Sequence, residues 1–183
     1  TFEWKAGKDG EHHEVKTQLI GEYNFANALA AVTIGHFFDV ESGKIDTALK
    51  EYTPQNNRSQ LKQTADNTLI IDAYNANPTS MQASISNFHN MEIDNKMLIL
   101  GDMRELGKDG PKEHQKIVDF LTECGFKDVM LVGEQFAAAR HDFPTYPDAP
   151  AVIEALQKNK PHGKTILIKG SNGIKLSTVI DYL

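Results

Sequence analysis

From residue 68 onward the chain carries its hydrophobic positions in short blocks. Thr68-Leu69-Ile70-Ile71, Met97-Leu98-Ile99-Leu100, Val129-Met130-Leu131-Val132 and Thr165-Ile166-Leu167-Ile168 are apolar with little alternation. A strand covered on both faces reads this way, because neither side of its pleat meets water. Segments of helical character separate the blocks, near Ser80–Met91, Lys112–Glu123, Glu134–Arg140 and Ala151–Asn159. That alternation predicts an α/β domain, a mostly parallel sheet with helices on both faces. Ser59–Thr64 is expected to add a strand beside the first block.

The earlier part has another rhythm. Val15–Ile20 reads as a short strand after a polar turn around Gly7–Gly10. Asn24–Phe38 is alanine-rich and apolar over several turns, which predicts a largely buried helix with Phe37 and Phe38 in the core. A second helix is expected over Lys44–Glu51. The polar, proline-containing stretch Tyr52–Asn57 reads as a linker.

Composition narrows the partners. The net charge is −6 over 183 residues, with 19 Lys and Arg spread without a run. Nucleic acid and anionic membranes favour a basic face, so neither is expected. The chain has 40% hydrophobic and 24% charged residues, enough apolar content for a packed core. One cysteine, Cys124, excludes an internal disulfide and fits a reducing, cytoplasmic setting. No apolar stretch reaches membrane-spanning length and no signal peptide opens the chain. The start at Thr1 reads as a cut from something longer.

In an open parallel sheet, ligands bind beyond the carboxyl ends of the strands. The first block runs into Asp72-Ala73-Tyr74-Asn75-Ala76-Asn77-Pro78, the second into Gly101-Asp102-Met103, the third into Gly133-Glu134, and the fourth into Lys169-Gly170-Ser171-Asn172-Gly173. Carboxylates, amides, glycines and a lysine therefore gather along one edge. Asp72 at a strand end can accept two hydrogen bonds from a ribose diol, or it can be a turn residue; position alone favours neither. Asn77 followed by Pro78 has the form of a helix cap and first turn. The segment Lys169–Ser177 lacks phosphate-loop spacing, because Ile174 separates Gly173 from Lys175. Its lysine and serine could meet a carboxylate, though a solvated loop is the plainer expectation.

Other residues have bland readings. Arg58 alone is a surface arginine, His114 a helix-surface residue, Tyr74 a packing or stacking residue. Cys124 before Gly125 fits a packed helix end. The seven histidines show no metal spacing, and no metal site is expected within this chain.

Four stretches, in this order, resemble the Mur ligase family: Leu19–Ala31, with Asn24 and Asn27; Asp72–Met81; Leu100–Gly107, with His114 beyond; and Ile168–Ser171. The second and third are most similar to the member that adds D-alanyl-D-alanine to UDP-N-acetylmuramoyl-tripeptide. Tyr23 stands where the family usually has His, and Asn57 precedes Arg58 where a glycine is common.

The resemblance implies that residues 1–52 are the tail of a central ATPase domain and residues 53–183 a Rossmann-like C-terminal domain. It places Asn24, Asn27, Arg58 and Asp72 near the nucleotide. Asn75, Asn77, Lys169 and Ser171 are the expected substrate side. The implied reaction is amide ligation for peptidoglycan synthesis through an acyl phosphate, with ATP and magnesium serving the full-length enzyme. UDP-N-acetylmuramoyl-tripeptide and D-alanyl-D-alanine would be its substrates. The family's phosphate loop, magnesium ligands and carbamoylated lysine precede Thr1 in its order, so this segment alone is expected to be inactive and to bind no cofactor tightly. No catalytic residue is named within it. Two alternatives remain: a non-catalytic Rossmann-like module for a nucleotide or small acid, and a sister ligase such as folylpolyglutamate synthase or the diamino-acid-adding Mur ligase.

Overall fold

A computed structural model describes residues 1–8, 10–21, 24–55 and 57–183. The chain divides into two compact units, Thr1–Pro54 and Gln55–Leu183. Tyr23, where the family resemblance departs, lies outside the described residues, as do parts of the expected 7–10 turn and 52–57 linker.

The first unit is a hairpin on two helices. Strands β1 (Phe2–Lys5) and β2 (His12–Val15) pair antiparallel, Phe2 opposite Val15. The strand expected at 15–20 therefore ends where it was to begin. Phe2 and Trp4 alternate with exposed residues, the period-two signal of a half-buried strand. They pack with Val15, Ala28 and Val32 of α1 (Phe25–Phe37), and Ile45 and Leu49 of α2 (Ser42–Glu51). Trp4 stacks on His13 at 4.2 Å, and both bond the Asp46 carboxylate, at 2.8 and 2.6 Å.

Helix α1 differs from expectation in burial. Ala28 and Val32, one turn apart, are its buried residues, while Phe37 and Phe38 are 79% and 70% exposed. Apolar composition all round a helix shows that it can be covered, but within this unit one narrow stripe is.

The second unit is a six-stranded sheet: β3 (Gln60–Gln63), β4 (Thr68–Asp72), β8 (Thr165–Lys169), β5 (Lys96–Gly101), β6 (Val129–Val132) and β7 (Thr145–Tyr146), in that spatial order. The four central strands are the four apolar blocks. β3, expected beside the first block, runs antiparallel to β4, and the other pairings are parallel. The chain steps outward from β4 to β7, then returns through α6 (Ala149–Lys158) to insert β8 between β4 and β5. Because parallel crossovers are right-handed, outward and return steps place helices on opposite faces.

The core follows that geometry. Leu69, Ile71, Ile99, Val132, Ile166 and Ile168 cluster with Val152 and Leu156 of α6 and with Leu176, Val179 and Leu183 of the C-terminal 3-10 turns. The intervening residues Ile70, Leu98, Leu100, Leu131 and Leu167, all buried, point the other way. On that side α3 (Pro78–Asn90) contributes buried Met81, Ile85 and Phe88, and α4 (Gly110–Glu123) contributes Ile117, Val118 and Leu121. The short α5 (Glu134–Ala138) follows β6 and contributes Phe136. No helix among the described residues is long and apolar enough to cross a membrane.

Candidate functional site

The return of β8 into the sheet creates the place where successive connections leave in opposite directions. There the ends of β4, β8 and β5 lie side by side: Lys169 is in register with Asp72 on one flank and Leu100 on the other. Such a switch point is where an open α/β sheet takes its ligands.

Lys169 is 1% exposed, so the solvated-loop expectation for it does not hold. Its ammonium donates to Asp72 Oδ2 at 2.5 Å and to the Asn75 carbonyl at 3.3 Å. Residues in register on parallel strands point to the same face, so the pairing follows from strand order. Burying an ammonium alone costs several kcal/mol, roughly, and a carboxylate with a carbonyl offsets much of it. Ser84 Oγ, from buried Ser84 of α3, also donates to Asp72 Oδ2, at 3.4 Å. Two donors on one oxygen fix the carboxylate's orientation.

The turn after β4 carries the next groups. Asn77 caps α3: its side-chain oxygen accepts from the Ser80 amide at 2.8 Å, and Ser80 Oγ accepts from the Asn77 amide at 3.2 Å. The cap read from Asn77-Pro78 is thus present, and that side-chain oxygen is engaged. Tyr74, 45% exposed, lies under the Arg58 guanidinium, 3.9 Å from the ring centroid. A cation over an aromatic face contributes about 0.5–1 kcal/mol when exposed and holds the guanidinium plane. The stacking role suggested for Tyr74 is what the structure has.

The loop after β5 is built around Asp102, one of the strand-end groups, and His114, which was expected on the helix surface. Asp102 accepts from the amides of Gln135 and Phe136, both at 3.0 Å, tying β5 to the start of α5. His114 is fully buried, not on the helix surface as expected. Its Nδ1 bonds the Gly110 carbonyl at 2.7 Å, and Nε2 accepts from the Met103 amide at 3.0 Å. Its place in the first turns of the helix after β5, four residues beyond Gly110, was the available signal, but burial is a tertiary fact. Ser171 closes the loop, its Oγ accepting from the Arg104 amide at 2.8 Å and its own amide donating to the Asp102 carbonyl at 3.2 Å. Outside this ring lies a cleft of about 660 Å³ lined by Asp102, Met103, Arg104, Glu134 and Pro147, among others.

The structure thus brings Asp72, Asn75 and Lys169 into direct contact and puts Ser171 on the adjoining loop. Arg58 stacks on Tyr74 of the same turn. Asn24 and Asn27 belong to the first unit. There Asn27 Nδ2 donates to Asn24 Oδ1 at 3.0 Å, and Asn24 Nδ2 donates to the Ile20 carbonyl at 2.7 Å. Cys124 caps α4 before Gly125 at φ 71°. Cys124 is half-buried, and desolvation, with Glu123 beside it, pushes its thiol above the usual cysteine range. Among the described residues no three His, Cys, Asp or Glu side chains group to hold a metal.

Comparison with known proteins gives a consistent picture. The Mur ligase, glutamate ligase domain family matches residues 57–172. The UDP-N-acetylmuramoyl-tripeptide–D-alanyl-D-alanine ligase of Bacillus subtilis is 29% identical over 191 positions, covering 94% of this chain and 42% of that protein. Its Escherichia coli counterpart is 30% identical over 173 positions, covering 91% of this chain and 38% of that protein. A crystal structure of MurF from Acinetobacter baumannii matches with a TM-score of 0.81 at 27% identity, over 93% of this chain and 39% of that one. The chain spans about two fifths of the length of these relatives.

Proposed function

Since the chain belongs to the Mur ligase family, we infer that it is the C-terminal part of an ATP-dependent ligase that joins D-alanyl-D-alanine to UDP-N-acetylmuramoyl-tripeptide. The observation that carries this reading is the similarity to ligases of that name across both units of the chain. The Asp72–Asn77 turn and the Gly101–Gly107 loop, the stretches most similar to that ligase, both lie at the strand ends where a ligand is expected.

Residues 1–52 are assigned to the tail of the central ATPase domain and 53–183 to the C-terminal domain. The compact division after Pro54 supports this. So does the apolar surface of α1, where Phe25, Leu29, Ile34 and Phe37 are exposed. Large apolar side chains left exposed on one helix can meet another protein surface, here assigned to the rest of the ATPase domain.

Asn24, Asn27, Arg58 and Asp72 are assigned to the nucleotide. Asp72 would accept from the ribose hydroxyls, and Arg58, held flat on Tyr74, would meet phosphate or base. Asn75, Asn77 and Ser171 are assigned to the D-alanyl-D-alanine side; Lys169, expected there as well, is instead engaged by Asp72. The cleft lined by Arg104, whose amide bonds Ser171, has room for a dipeptide. In the ligation, ATP phosphorylates the tripeptide carboxylate, the D-alanyl-D-alanine amine attacks the acyl phosphate, and phosphate leaves. This chain's residues bind and orient, and the rate gain from such positioning is entropic and electrostatic. The magnesium implied for the whole enzyme finds no ligand set among the described residues. The setting of such an enzyme is the cytoplasm.

The test is a substrate assay on the full-length protein. Phosphate release should require D-alanyl-D-alanine and fail with meso-diaminopimelate or glutamate. Release with either of those instead would overturn the assignment. The 183-residue chain alone should show no turnover, and turnover by it would overturn the division of labour.

A further inference from the structure

We propose that Lys169 is a positioning residue for the nucleotide's ribose: it holds the Asp72 carboxylate, and the turn behind it, in the orientation that accepts a vicinal diol. The inference rests on the nucleotide reading of Asp72 given above.

Lys169 is among the largest fully buried side chains of the protein, and it is charged. Every other buried position on the central strand β8 is Ile or Leu. A buried ion pair gives little stability over apolar residues of the same size, so stability supplies no reason for a lysine here. Its contacts do. Nζ reaches Asp72 Oδ2 and the Asn75 carbonyl, so one ammonium sets both the carboxylate and the backbone three residues on.

Both side-chain donors to Asp72 among the described residues, Lys169 Nζ and Ser84 Oγ, land on Oδ2. Oδ1 is the oxygen left for a ligand, and the Asp72 side chain keeps 16% exposure while that of Lys169 keeps 2%. The exposed partner can touch a ligand and the buried one can act only through it. The turn pinned at Asn75 also bears Tyr74, the platform under Arg58. Lys169 therefore orders two of the nucleotide groups without reaching the nucleotide.

The test uses the full-length ligase and two variants, K169M and K169Q, with D72A as reference. The readout is the ratio of kcat/KM for ATP to that for 2′,3′-dideoxy-ATP. The KM values for both other substrates and the melting temperature are measured alongside. Wild type should favour ATP by about tenfold or more, as a site built to bond a hydroxyl rejects its absence. D72A and K169M should bring the ratio near one. K169Q, whose amide still donates, should fall between, and it carries the test where K169M does not fold. In both lysine variants the KM for UDP-N-acetylmuramoyl-tripeptide should stay within about twofold of wild type.

A lowered melting temperature with a wild-type ratio in a soluble lysine variant would mean a merely structural lysine and overturn the proposal. No preference in wild type, or a preference that survives D72A, would instead sink the ribose reading of Asp72 itself. A preference lost in D72A but intact in K169M and K169Q would leave that reading standing and remove only this inference.

Discussion

Asp102 and Gly133 share one volume: a Cβ built on Gly133 would lie 2.3 Å from the Asp102 carboxyl carbon. The aspartate fills the space that the glycine leaves open at the start of α5, and there it accepts two amide hydrogen bonds. Gly133 also sits at φ 120°, where an L side chain is strained. Replacing Gly133 by Ala should destabilise the protein by about 3 kcal/mol, clash and strain together. Urea unfolding of G133A measures this. A loss under about 0.5 kcal/mol would mean that Asp102 can move aside at no cost.

His114 bonds the Met103 amide and the Gly110 carbonyl from within the core and packs edge-on against Phe136, ring centroids 4.7 Å apart. H114A should cost about 2–4 kcal/mol, from a cavity and two stranded polar groups. Hydrogen exchange at the Met103 amide should quicken more than exchange in β4. Uniform quickening across the sheet would show that His114 supports global stability alone.

Tyr74 offers Arg58 a face, not a hydroxyl. Y74F should keep the nucleotide KM of the full-length enzyme within about twofold, whereas Y74A should raise it by about three- to tenfold. Equal effects in the two variants would point to the phenol oxygen and against the stack.

Asp66, in the turn between β3 and β4, meets the segment before β8. Lys160 and His162 bond its carboxylate, at 2.8 and 3.1 Å, and hold its pKa below the usual carboxylate value, Lys160 the more strongly. With the folded pKa depressed, the pair stabilises the fold fully above the unfolded value of 3.8. That support fades as pH falls through the lower folded pKa. D66N should therefore be less stable than wild type at pH 7, with the gap closing in acid and shrinking in about 1 M salt. Chemical denaturation across pH reads it; a gap that widens in acid would reverse the assigned cause.

Legibility in the sequence followed physical locality. The four apolar blocks became the four central strands because a strand buried on both faces must be apolar along its length. The cap at Asn77 and the helix end at Cys124 held because those interactions lie within three or four residues. The hairpin's first strand was readable in the alternation of Phe2 and Trp4, and it was missed because four residues make a weak signal. Burial of His114 and exposure of Phe37 and Phe38 could not be read locally. Apolar or polar character states what a side chain tolerates, and its neighbours decide what it meets.

By itself, the sequence determined the four central strands, the helices between them and the polar residues that end those strands, since these follow from periodicity and turn chemistry within short windows; the short strands β1 and β7 gave too brief a signal. Only the tertiary structure decided that β8 enters between β4 and β5. That single placement joins Lys169 to Asp72 across 97 residues of chain, turning a lysine that reads as solvated into a buried anchor. Strand order is a property of crossovers and shared faces, and no local pattern encodes it.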